Sequence, residues 1–61
     1  GLDSGELQLA WYLTAYAYLM AGDEKPQTII EYLQNAIAAD PHSEATQQIE
    51  QAIKKLEKEM Q

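Results

Sequence analysis

The stretch Leu9-Ala10-Trp11-Tyr12-Leu13-Thr14-Ala15-Tyr16-Ala17-Tyr18-Leu19-Met20-Ala21-Gly22 decides how this chain folds. It holds no charged residue and no proline, and its one glycine comes last, so nothing interrupts a helix before Gly22. Extended back to Leu7 on a 100° wheel, it places Leu7, Trp11, Thr14, Ala15 and Tyr18 on one face. Leu9, Tyr12, Leu13, Tyr16, Leu19 and Met20 fall on the opposite face. Asp3 followed by Glu6 three residues on has the form of a capping box, and Gly22 suits a left-handed C-terminal position. The reading is a helix A over about 4–21 that is apolar on two sides and therefore needs cover on two sides.

The rest of the chain supplies two candidate covers. Pro26, tolerated only in a first helical turn, opens helix B over about 25–39, with Ile29, Ile30, Leu33, Ala36 and Ile37 at helical spacing and Glu31, Gln34 and Asn35 on the other side. After the Asp40-Pro41-His42-Ser43 break, Ser43 caps helix C over about 44–60. Its stripe reads Ala45, Ile49, Ala52, Ile53, Leu56 and Met60, and its back is polar. Glu57, on that back, is expected to tolerate change. The fold class expected is all-α, one domain over 1–61, with helix C closing a helical hairpin.

Charge and size narrow the partners. Ten acidic residues against four lysines and no arginine give a net charge of −6, which repels phosphate backbones and anionic headgroups. Nucleic acid and membrane surfaces are poor partners by this reading. The longest apolar run, Leu9 to Ala21, is shorter than the roughly 20 residues that a bilayer crossing requires. A soluble, cytoplasmic setting is the expectation. With 61 residues and no cysteine, neither disulfides nor a thiolate metal site can support a small core, and association with another chain is the remaining aid. A start on Gly1 reads as a segment of a longer protein.

Chemistry finds no foothold in the pattern. His42 stands alone in a turn, without a second histidine or cysteine to complete a metal set. Asp23, Glu24 and Asp40 sit near helix ends, where capping and solubility account for them. No serine has the partners of a nucleophilic triad, and no glycine-rich loop offers to hold phosphate. The expectation is no enzyme, no cofactor and no metal.

Trp11, Thr14, Ala15 and Tyr18, followed by Ile29, Leu33 and Ala36 and closed by Asp40-Pro41, resemble the tetratricopeptide repeat, whose motif spans two antiparallel helices. Tyr18 to Asp23 and Ala39 to Ser43 look like the family's internal turn and repeat end. Thr14 stands where the family has leucine, Ile29 where it has a small residue, and the segment from Gly22 to Pro41 is about two residues long for it. The resemblance implies a tetratricopeptide-like antiparallel hairpin with a third, C-terminal capping helix. It also implies a binding function, carried by Leu9, Tyr12, Tyr16, Leu19 and Met20 on the inner face of the first helix. Tyrosines and aliphatics there do not suit a carboxylate clamp; an apolar helix or peptide, or a second copy forming a homo-oligomer, fits better. The expected function is thus a protein interaction module that self-associates through this face. The alternatives are the structural end cap of a longer scaffold of such repeats, or a bundle similar to microtubule-interacting-and-transport domains that binds partner helices.

Overall fold

The computed structural model describes residues 3–22 and 25–60; Asp23 and Glu24, read above as helix-end acids, lie outside them. Three helices follow in order: α1 Ser4–Ala21, α2 Pro26–Ala39 and α3 Glu44–Glu59. The fold is all-α. Helix ends are set by the residues expected to set them. The Asp3 carboxylate accepts from the Glu6 backbone N–H at 2.8 Å, and Ser43 accepts from the Thr46 N–H at the head of α3, each satisfying a donor that the first helical turn leaves free. Gly22 stops α1 at φ 75°, with its N–H on the Tyr18 carbonyl. A side chain would be strained in that left-handed conformation, which explains the glycine.

Helix α2 is the shared element. It packs along both α1 and α3, and its two ends fix the directions of its neighbours. Gln8 near the start of α1 bonds to the Ala36 and Asp40 carbonyls at the end of α2, so α1 and α2 are antiparallel. The turn Asp40 to Ser43, closed by Ser43 N–H on the Asp40 carbonyl at 3.3 Å, sends α3 back alongside, and α1 and α3 run the same way. The particle measures 35 × 20 × 13 Å.

The buried core is Ala15 from α1, Ile29, Ile30, Leu33 and Ala36 from α2, and Ile49, Ile53 and Leu56 from α3. Helix α1, the richest in large apolar side chains, gives this core a single alanine. The reason is geometric. Ala15 and Ala36 are almost fully buried, and the large residues of α1 stand at the margins of its contact with α2. On one margin Trp11 and Tyr18 stack on Tyr32 of α2, with ring centroids 5.9 and 5.4 Å apart. Such offset pairs add about 0.5–1.5 kcal/mol beyond the area they cover.

Three residues that the helical wheel places on apolar faces lie in solvent. Thr14 is exposed, not on the covered face, and its hydroxyl returns to the Ala10 carbonyl one turn back at 2.8 Å. Covering one flank of α1 requires only one neighbour, and Thr14 lies on the far side of it. In α3, Ala45 and Met60 at the two ends of the expected stripe are exposed, while Thr46 is buried in their place. Thr46 is polar and so escapes an apolar-periodicity reading; it is accepted inside because its hydroxyl is fully used.

Candidate functional site

Two features could carry function: a buried polar cluster where the helices converge and an apolar groove where they part. The polar cluster centres on Gln8, which is 3% exposed. Its amide nitrogen lies 3.1 Å from the Ala36 carbonyl, 2.9 Å from the Asp40 carbonyl and 3.0 Å from Thr46 Oγ1. Its carbonyl oxygen accepts from the Ser43 hydroxyl. Thr46 Oγ1 in turn donates to the Asp40 carbonyl at 2.7 Å. One side chain thereby ties the head of α1 to the tail of α2 and the head of α3, and it satisfies carbonyls that the end of α2 leaves without intrahelical donors. Among the described residues no buried side-chain nitrogen or oxygen lacks a partner. A cluster whose every group is engaged has nothing left to offer a ligand, and its role is to join helices.

At the opposite end α1 and α3 diverge, and α2 becomes the floor of a groove of about 260 Å³. Tyr12, Tyr16 and Leu19 form the α1 wall, Ile29 and Leu33 the floor, and Ala52, Leu56 and the stems of Lys55 and Glu59 the α3 wall. Tyr12 and Tyr16 stack one turn apart, centroids 6.3 Å. The volume falls below the roughly 300–1,000 Å³ of small-molecule pockets, and the walls offer few fixed polar groups. Among the described residues no three histidine or carboxylate side chains gather as a metal-ligand set, and no helix is long and apolar enough to cross a membrane.

Of the residues singled out from the sequence, the structure brings Tyr12, Tyr16 and Leu19 to the groove, whereas Leu9 and Met20 stand outside it. All but Tyr12 remain largely in solvent: Leu9 54%, Tyr16 50%, Leu19 43% and Met20 71% exposed. Tyr12 is half-buried against the core. Leu13, at 55% exposure, belongs with them and was not among the predicted contacts. It is reached by the same helical spacing, four residues after Leu9 and three before Tyr16. The α3 wall was read only as closure. Its Ala52 and Leu56 were visible in the apolar stripe, but the parting of α1 from α3 that makes a wall of them is not a property of either helix alone.

Fold and groove together define an all-α three-helix domain with one helix incompletely covered. Residues 1–61 match the family TP_0391_C, described as "uncharacterised protein C-terminal domain", and the chain belongs to it. It is similar to a protein of Treponema pallidum (strain Nichols) described as "uncharacterized protein", 42% identical over 55 residues, which cover 90% of this chain and 18% of that protein. The chain therefore spans less than a fifth of that relative's length. No solved structure matches it.

Proposed function

We propose that this domain is a protein–protein interaction module that self-associates through the apolar face of α1, with Tyr12 and Tyr16 as anchors and Leu9, Leu19 and Met20 around them. The single observation behind this reading is that both partner helices are already in place and large side chains of α1 still stand in water. Tyrosine and methionine are enriched at interface cores, and an apolar patch of this kind on a small domain is a common mark of a contact surface. The tetratricopeptide-like reading is supported by the order of the helices, with α2 packed between α1 and α3 and the proposed face on the first helix. It stays part of the proposal. Light scattering during size exclusion tests the self-association directly. A dimer is expected in the micromolar range, and a monomer at several hundred micromolar would reject it.

A second reading has its own support. A relative about five times longer, a family described as a C-terminal domain and the polar back of α3 fit a cap that closes the end of a larger helical assembly. In that case the α1 face would meet the preceding part of the same protein. Joining that upstream segment to the domain would then abolish any self-association.

A further inference from the structure

We infer that the self-association surface is a helix–helix seam made by Leu9, Leu13, Tyr16 and Met20, and that its occupant is α1 of a second copy, lying antiparallel about a dyad between Leu13 and Tyr16. This rests on the self-association reading above and specifies it. The four residues are spaced four, three and four apart, the alternation of a two-helix coiled-coil seam, and they fall within about 60° of arc on the helix surface. They are the side chains left at half exposure or more on the outer side of α1. The groove wall formed by Tyr12 and Leu19 flanks this seam and shares Tyr16 with it. On the other flank Ala10 and Ala17, seven residues apart, leave room for a close interhelical distance.

Two observations select a second copy as the occupant. The chain carries a charge of −6, yet not one charged residue lies between Leu7 and Gly22, so along that stretch two copies can bring these faces together without setting like charges in contact. The area also suffices. With whole-residue surfaces of about 200–250 Å², the exposed parts of the four seam residues and Leu19 come to roughly 600 Å² per protomer, or roughly 1,200 Å² for the pair, which reaches the lower limit of specific interfaces. Antiparallel packing opposes the two helix dipoles and sets each Tyr16 against the partner's Leu13, whereas parallel packing would press two tyrosines together. Leu9 then faces the partner's Met20.

The absence of native cysteine makes cross-linking decisive. In the antiparallel seam two copies of residue 9 lie about 16 Å apart along the axis, beyond disulfide reach, while residues 9 and 20 are opposed. In a glutathione redox buffer, Leu9→Cys mixed with Met20→Cys should yield the mixed disulfide dimer, and each variant alone should stay uncross-linked. Circular dichroism melts confirm that both fold. A dimer by light scattering in which each variant links to itself would overturn the antiparallel seam and leave self-association standing. A dimer dissociated by Leu19→Glu but not by Leu13→Glu would move the contact to the groove and likewise overturn the seam alone. A monomer at several hundred micromolar would remove both readings.

Discussion

The two ends of the molecule solve opposite problems with the same three helices. Where α1, α2 and α3 converge, polar groups are buried and every one is engaged: Gln8, Ser43 and Thr46 with the carbonyls of Ala36 and Asp40. Where α1 and α3 part, apolar groups are exposed and only partly sheltered, along Tyr12, Tyr16 and Leu19. The first end is closed by directional bonds that tolerate no vacancy, the second is left open by a shortage of cover. The closed end holds the helices in register, and the open end leaves apolar surface in solvent.

The largest expected effect breaks the closed end. Replacing Gln8 with alanine removes the Ala36 carbonyl's side-chain donor, one of the three donors to the Asp40 carbonyl and the acceptor of the Ser43 hydroxyl, at a cost of about 2–4 kcal/mol. A chain of this length holds only about 3–9 kcal/mol in total. Urea denaturation should therefore show Gln8→Ala close to unfolded, and an unchanged midpoint would mean that the cluster contributes nothing to joining the helices. At the open end, Tyr16→Glu should leave the urea midpoint of the dilute protein within about 0.5 kcal/mol while weakening the dimer by about 2 kcal/mol or more, some thirtyfold in dissociation constant. Equilibrium sedimentation reads the second quantity. Loss of fold in place of loss of assembly would make Tyr16 a core residue and erase the contrast between the ends.

Smaller effects concern the helix margins that hold the two ends in register. Gly22→Ala forces a side chain into the left-handed conformation at the end of α1 and should lower stability by about 1 kcal/mol, seen as a fall of several degrees in Tm. Gly5→Ala has the reverse sign. A Cβ there would meet Asp3 Oδ1 at 3.5 Å, an ordinary contact, and the gain in helix propensity should add about 0.4–1 kcal/mol. A loss of stability at that position would show that the approach of α1 to Asp40 is tighter than it stands.

Much of the fold was legible because its signals are local. Asp3, Gly22, Pro26 and Ser43 each act within one helical turn, at the ends of helices that run Ser4–Ala21, Pro26–Ala39 and Glu44–Glu59. The excess of apolar surface on α1 was legible for a related reason: α1 is apolar on both sides, and of its two neighbours α3 has only a narrow apolar stripe. Gln8 was not legible. A polar residue between Leu7 and Leu9 looks like a solvent position, and only the arrival of α2 and α3 at one point supplies the acceptors that make its burial affordable. Thr46 follows the same logic at the head of α3.

By itself, then, the amino-acid sequence determined the helices, their limits and the excess of apolar surface on α1, since capping, propensity and periodicity act over a few residues. The tertiary structure alone decided which part of that excess is sheltered: the hydrogen bonds at Gln8 draw the heads of α1 and α3 together, and the contact of Ala15 and Ala36 with the core admits no larger side chain. The groove at the far end is likewise lined by residues that are distant in the chain. The groove and the outer seam are the surfaces left uncovered.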